Sequence, residues 1–173
     1  MLLATDYLLL IESGWNFNQI KTMREIGQIF IITVGVAGCG KTTYVKKRFP
    51  NFYRISMDEI RGQLSLDPAD SEQSQLAFRC CYPLLQRALS GGKSIVWDAT
   101  SLTTNSRKQL IQSARRFGFR VVIIYFDIPL EEILRRNSQR RRKVPDSAIL
   151  CQWKEIEPPQ KNEADELIII KKS

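Results

Sequence analysis

The feature that most constrains this chain is the octapeptide GVAGCGKT, which spans Gly35 to Thr42. Its glycines let the backbone N–H groups turn toward phosphate oxygens without obstruction by a Cβ atom. The apolar, β-branched stretch before it (residues 28–34) predicts a buried strand, and residues 41–48 predict a helix after it. A phosphate-binding loop between a strand and a helix predicts binding of ATP.

The last residues of the loop carry the groups that a bound triphosphate needs. Lys41 places a positive charge on the β- and γ-phosphates, and the hydroxyl of Thr42 is a ligand for Mg²⁺. We therefore predict ATP and Mg²⁺ as cofactors. The residues predicted to contact ATP here are Gly35, Val36, Ala37, Gly38, Cys39, Gly40, Lys41, Thr42 and Thr43.

The amino-acid composition limits which side chains can act as a general base or bind a metal. The chain has no histidine and four cysteines, none in a CxxC pair, which excludes histidine as a general base and argues against a zinc site. A base must therefore be a carboxylate, a lysine or water. No apolar run approaches the ~20 residues that cross a bilayer, and the first residues lack the pattern of a signal peptide, so we expect no membrane partner and a cytoplasmic location.

Strand and helix signals alternate along most of the chain. This alternation predicts an α/β fold with a parallel sheet covered on both faces. Residues 1–26 lie outside it and are interpreted as an N-terminal helical extension, and residues 27–173 as one domain. The predicted strands are 28–34, 52–56, 94–97, 120–126 and 167–170, and the predicted helices are 41–48, 57–64, 71–89, 105–117, one opening at Pro129 and one from Pro145 to about Ile156.

Two aspartates follow the carboxyl ends of predicted strands, the edge where open parallel sheets bind ligands. Asp58 can accept the proton of an attacking hydroxyl, and Arg61 lies on the same helical face. The alternative is a helix-start acid that stabilises the macrodipole and a surface arginine. Asp98 is a candidate to pair with Arg61, or to orient the acceptor or a metal-bound water. The structural alternative is that it caps a turn.

A cluster of six basic residues falls between residues 135 and 143, within a chain of net charge +8. Arg136 and Arg140 are four residues apart, which predicts that they share a helical face. Arginine offers planar, multi-donor contacts to phosphate, so these side chains are candidates to neutralise charge during phosphoryl transfer. The alternative is a solvated helix face.

Three segments carry a resemblance to a known family: FYRISMDEIR, WDATSLTTNSRK and YFDIPLEEILRRNSQRRRKVP. They resemble the 5′-polynucleotide kinases of phage end-healing enzymes and bacterial RNA-repair proteins, over residues 28–156. The resemblance implies a P-loop kinase of adenylate-kinase-like architecture, with about five parallel strands and an arginine-bearing lid. It also implies transfer of the γ-phosphoryl group of ATP to the 5′-hydroxyl of RNA or DNA.

The same resemblance implies a role for each matching residue. Asp58 would be the general base, Arg61 would hold the phosphate next to the acceptor 5′ end, and Asp98 would support the acceptor site. Arg140 would be the lid arginine that acts, with Lys41, on the transferring phosphate, and Arg136 would lie near the nucleotide.

The chain departs from the family at Cys39 and Thr42, where serine is more common. We expect alkylation of Cys39 to inactivate the enzyme and ATP–Mg²⁺ to protect it, unless this thiol is inert. Processing of 3′ ends would need another chain or domain, and the N-terminal extension is a candidate link to other repair domains. The rival interpretations are a small-molecule or sugar kinase, such as a zeta-toxin-like or antibiotic-modifying enzyme, and a module that hydrolyses ATP to switch conformation.

Overall fold

The computed structural model describes residues 27–64 and 71–171. The extension predicted for residues 1–26 lies outside these residues. None of the helices within the described ranges is long and apolar enough to cross a membrane. The strands are β1 (Ile29–Val34), β2 (Tyr53–Ser56), β3 (Ile95–Asp98), β4 (Arg120–Asp127) and β5 (Glu166–Lys171), and the helices are α1 (Lys41–Arg48), α2 (Met57–Gln63), α3 (Ser71–Ser90), α4 (Thr104–Arg116), α5 (Leu130–Ser138) and α6 (Asp146–Glu155).

The five strands form one parallel sheet in the order β2-β3-β1-β4-β5. The predicted α/β fold is therefore confirmed, and the predicted bounds agree with the structure to within one residue. Because all strands run the same way, their carboxyl ends share one edge of the sheet. Gly35 follows β1 at that edge, and Ser56 lies beside Asp98 in the register of β2 and β3.

Alternate side chains of the central strand enter two separate hydrophobic cores. Phe30 and Ile32 of β1 face the core covered by α3 and α4, whereas Ile31 faces the core covered by α1, α5 and α6. All three are fully buried. Burying a side chain of this size contributes about 1.5–3 kcal/mol relative to exposure, so both helical layers are held to the sheet mainly by apolar contact.

The connection between α5 and α6, residues 139–145, is fixed at its base by one buried amide. Asn137 is 2% exposed, and its Nδ2 donates to the carbonyl of Val144 at 2.7 Å and to Oδ1 of Asp146 at 3.0 Å. The N–H of Val144 donates back to Oδ1 of Asn137 at 3.0 Å. The two ends of this lid loop are therefore held together by a single side chain.

A buried ion pair joins the segment before β5 to the loop after β3. Arg107 is fully buried, and its Nε and Nη2 donate to the Glu163 carboxylate at 2.7 and 3.0 Å. Its Nη1 donates to the carbonyls of Ser101 and Leu102. Burial opposes ionisation of Glu163, but the hydrogen bonds from Arg107 and from the N–H of Gln160 outweigh it and lower the pKa of this carboxyl.

We predict that Arg107→Met destabilises the fold by about 3–5 kcal/mol, because it removes one partner of a buried pair. The matched control is Arg115→Met, whose pair with Asp165 is exposed and should contribute at most about 1 kcal/mol. Urea unfolding measures both. Because the pKa of Glu163 is lowered by folding, its contribution is present above about pH 4.3 and is lost as the pH falls. Equal losses in the two variants would contradict the prediction.

Candidate active site

The phosphate-binding loop joins β1 to α1 and needs glycine for steric reasons. An added Cβ at Gly35 would lie 2.8 Å from Sγ of Cys39 and 3.1 Å from Cβ of Phe126. Gly38 adopts a φ of 91°, and a Cβ there would lie 3.3 Å from Cγ2 of Ile133. The loop is therefore packed between the core and α5, with its backbone at the N-terminus of α1. A glycine loop at the N-terminus of a helix suits a phosphate group.

Lys41 lies folded across this loop. Its Nζ donates to the carbonyls of Gly35 and Val36 at 2.8 and 2.9 Å, and the residue is 8% exposed. The ammonium group is therefore held at the loop on which the triphosphate is predicted to lie. Val36 is buried in the core and can offer only its backbone to a ligand, whereas Thr43 lies on the exposed side of α1.

Cys39 is only 1% exposed, because its side chain packs into the core behind the loop. The expectation that a thiol reagent reaches Cys39 is therefore not supported by the structure. Among the four cysteines, Cys151 is the one classed as exposed. A hydrogen bond to the carboxylate of Glu155 raises the pKa of the Cys151 thiol, which slows its reaction as well.

The hydroxyl of Thr42 donates to Oδ1 of Asp98 at 3.2 Å. Asp98 ends β3, the strand beside β1, and its side chain is 2% exposed. The hydroxyl of Thr33 bonds to the carbonyls of Trp97 and Ala99, which fixes the backbone on both sides of this aspartate. A hydroxyl and a carboxylate oxygen are hard ligands of the kind that Mg²⁺ prefers, so the residues present fit the predicted metal.

The second carboxylate oxygen of Asp98 binds Arg54 of β2 rather than Arg61. Nη1 of Arg54 donates to Oδ2 of Asp98 at 2.9 Å, while its Nη2 binds the carboxylate of Glu59 in α2. Burial opposes the charge of the guanidinium, but its bonds with Glu59 and Asp98 outweigh this effect and raise the pKa of Arg54. The suggested pair of Asp98 with Arg61 is therefore wrong, because Arg54 occupies that carboxylate.

Asp58 lies in the first turn of α2, and Ser56 caps that helix by accepting the N–H of Glu59. The Asp58 side chain is 84% exposed, and its Oδ1 accepts Nη1 of Arg61 at 2.8 Å. Arg61 is itself only 19% exposed, and its buried Nε has no hydrogen-bond partner in the described part of the chain. The structure thus brings these two predicted residues together and leaves the carboxylate of Asp58 open to solvent.

Helices α5 and α6 bring two further side chains to the loop. Nη1 of Arg136 donates to the carbonyl of Cys39 at 3.1 Å, and its Nε donates to the buried carboxylate of Glu132 at 2.6 Å. Oε1 of Gln152 accepts the N–H of Ala37 at 2.8 Å. Arg136 is therefore at the phosphate loop, where it was expected. The predicted common helical face of Arg136 and Arg140 is wrong, because α5 ends at Ser138 and leaves Arg140 exposed beyond it.

Sequence reasoning assigned no role to Arg54, Glu132 or Gln152. The spacing of Glu132 and Arg136, four residues apart in a predicted helix, was a usable signal for that pair. Arg54 and Gln152 gave no such signal, because their contacts join residues 44 and 115 positions apart.

Comparison with known proteins agrees with this geometry. Residues 30–159, three quarters of the chain, match the sequence family AAA_33, which is described as an AAA domain. The chain belongs to this family. The relatives that the chain matches include kinases, and the five parallel strands flanked by helices agree with a P-loop kinase fold.

One curated relative is the L-seryl-tRNA(Sec) kinase of Methanococcus maripaludis, 29% identical over 136 residues. The match covers 76% of this chain, and the chain spans only 53% of that relative's length. Among solved structures, a sugar kinase from Janibacter sp. HTCC2649 aligns with a TM-score of 0.64 at 20% identity, covering 83% of this chain and 85% of that one. The Pnkp1/Rnl/Hen1 RNA repair complex also aligns at 0.64 and 20%, covering 75% and 44%.

We predict that Lys41→Ala abolishes nucleotide turnover in this AAA_33 domain while leaving the fold intact. Losing a charge contact at the phosphates costs on the order of 3 kcal/mol or more in the transition state. Lys47→Ala, an exposed residue of the same helix, is the control and should behave like the parent protein. Turnover is measured from ADP release and folding from thermal unfolding. Parent-like turnover in a folded Lys41→Ala protein would refute the role of the loop.

Arg54 acts through Asp98 and is a positioning residue, so we predict that Arg54→Met lowers turnover by about 10–100-fold. The variant should also change the Mg²⁺ dependence of ATP binding, because Asp98 loses its fixed orientation. Arg54→Lys should recover part of the loss by restoring one charge contact. Arg120→Met is the matched control, since its pair with Glu166 lies at the other edge of the sheet. An unchanged Mg²⁺ titration by calorimetry would contradict this role.

Proposed function

We propose that this domain transfers the γ-phosphoryl group of ATP to a hydroxyl carried by a nucleic acid, namely the 5′-hydroxyl of an RNA or DNA end. The observation that carries the proposal is the position of Asp58. Its exposed carboxylate follows β2 at the same edge of the sheet as Lys41, Thr42 and Asp98. A solvent-accessible base beside the phosphate loop suits an acceptor that arrives from outside.

In this proposal the residues at the phosphate loop and the base divide the work between them. Lys41 and Arg136 hold the phosphates, and Thr42 and Asp98 are the candidate ligands for Mg²⁺. When bound, Mg²⁺ neutralises charge on the phosphate oxygens. Asp58 accepts the proton of the attacking hydroxyl.

Three further roles, two on the acceptor side and one on the lid, complete the assignment. The guanidinium of Arg61, held 2.8 Å from Asp58, orients the base and meets the phosphate next to the acceptor end. Arg140 extends from the lid and balances charge on the transferring group. Asp98 supports the acceptor side only indirectly, through Arg54 and Glu59 to α2.

The relatives favour a second candidate of the same chemistry. The archaeal relative is named as a kinase of a seryl group carried by a tRNA. The second candidate acceptor is therefore the hydroxyl of an aminoacyl group attached to an RNA. A sugar kinase shares the fold as well, so a small alcohol is a third class of acceptor. The net charge of +8 supports the two nucleic-acid acceptors over the small alcohol.

Transfer of labelled γ-phosphate to an acceptor panel separates these candidates. The panel contains 5′-hydroxyl RNA and DNA oligonucleotides, seryl-tRNA, gluconate and a reaction without acceptor. We expect label on the 5′ ends. Label on seryl-tRNA alone would move the assignment to the second candidate, label on gluconate alone would remove nucleic acid from it, and phosphate release without transfer would indicate a switch module.

We predict that Asp58→Asn and Arg61→Ala fail in different ways. Asp58→Asn keeps the size of the side chain but cannot take a proton, so kcat should fall by roughly 10²–10⁴-fold while ATP binding is retained. Arg61→Ala should raise the KM of an oligonucleotide more than that of an acceptor without an adjacent phosphate. Steady-state kinetics on both acceptors measure the difference, with Arg79→Ala on α3 as an exposed control. Equal effects of Arg61→Ala on every acceptor would contradict its assignment.

A further inference from the structure

The lid loop, residues 139–145, carries an unusual block of uncompensated charge. Its sequence is QRRRKVP, with four consecutive cations and no acid. All four cations are exposed. Within the described ranges, none of these four side chains makes an ion pair or a hydrogen bond, whereas Arg135 and Arg136 on the adjoining helix are both bound to Glu132. The loop therefore presents free positive charge to solvent.

The loop is also held in place beside the phosphate loop. Asn137 joins its two ends, as described above, and Ile133 of α5 and Ile149 of α6 are buried in the core. Arg136, immediately before it, contacts the carbonyl of Cys39, and Gln152 after it contacts Ala37. The lid loop therefore joins two helices that both contact the phosphate loop, and its cations lie between these two contacts in the chain.

The charge of the loop exceeds what the nucleotide needs. Lys41 and Arg136 already lie on the phosphate loop, and Arg140 is assigned to the transferring group. Three cations remain, Arg141, Arg142 and Lys143. Successive Cα atoms are about 3.8 Å apart, so three neighbouring long side chains can reach successive phosphates of one flexible strand.

We propose that Arg141, Arg142 and Lys143 bind the phosphodiester backbone of the acceptor strand beyond its reacting end. This inference rests on the proposed function and adds to it a second contact region that reads no sequence. Contacts of this kind add affinity for any strand and weaken steeply as salt rises, because each neutralised phosphate releases counterions.

The test compares two triple variants of the whole chain. One is Arg141→Gln, Arg142→Gln and Lys143→Gln. Its matched control is Arg87→Gln, Lys93→Gln and Arg116→Gln, which removes the same charge from exposed positions at the amino edge of the sheet. Binding to a 12-nucleotide 5′-hydroxyl RNA with a dye on its 3′ end is measured by fluorescence anisotropy between low and moderate salt.

We expect the slope of log K against log salt to become less negative by about 2 in the lid variant, since each phosphate contact to a single strand contributes about 0.7. The control should keep the parent slope, and both variants should bind a fluorescent ATP analogue as the parent does. Phosphorylation of a long RNA should then lose more than phosphorylation of a dinucleotide in the lid variant.

Each other outcome overturns the inference. If the parent protein phosphorylates RNA and the lid variant keeps the parent salt slope, the proposed lid contact is wrong and the proposed function is unaffected. A loss of ATP affinity would assign the three cations to the donor. Competition by an acidic peptide as tight as that by RNA would assign the loop to a protein partner. A parent that neither binds nor phosphorylates RNA would remove the proposed function and this inference together.

Discussion

The carboxylate of Asp98 is the constraint on which the site depends. It is almost completely buried, so both of its oxygens must find partners, and they find them in different elements. One accepts the hydroxyl of Thr42 at the start of α1, and the other accepts Arg54, which continues to Glu59 in α2. A single buried charge thereby links the phosphate loop to the helix that carries the candidate base.

The cations of the site fall into two groups, according to whether they have partners within the protein. Cations close to the phosphate loop are paired or bonded within the protein: Lys41 with loop carbonyls, and Arg136 with Glu132 and Cys39. Cations of the lid loop are exposed and make no ion pair with the part of the chain that the structure describes. Paired cations are held close to where the nucleotide is expected to bind, and exposed ones are open to an anion that comes and goes. This division is what we would expect of a domain with a fixed donor and a mobile acceptor.

Local signals predicted the fold well, and they were enough to propose the central residues of the site. A buried strand, a glycine loop and a helix follow one another in sequence, so Lys41 and Thr42 were identifiable without any long-range contact. Arg61 and Asp58 lie within one turn of helix, so their common helical face followed from spacing alone, and the structure shows that they also pair. The partner of Asp98 did not follow from spacing, because it depends on which strand lies beside β3. Nothing in the sequence alone separated Arg54 from Arg61 as that partner. The burial of Cys39 was equally hidden, since it depends on the packing of Ile133 and Phe126 against the loop.

A crystal structure with a non-hydrolysable ATP analogue, Mg²⁺ and a short 5′-hydroxyl RNA tests the central claim most directly. We expect Lys41 to leave the carbonyls of Gly35 and Val36 for the phosphates, and Mg²⁺ to be held by Thr42 and Asp98. We also expect the 5′-oxygen to lie within hydrogen-bond distance of Asp58, about 2.6–3.2 Å. A complex in which the acceptor hydroxyl approaches the γ-phosphate from another side, with Asp58 in solvent, would contradict it.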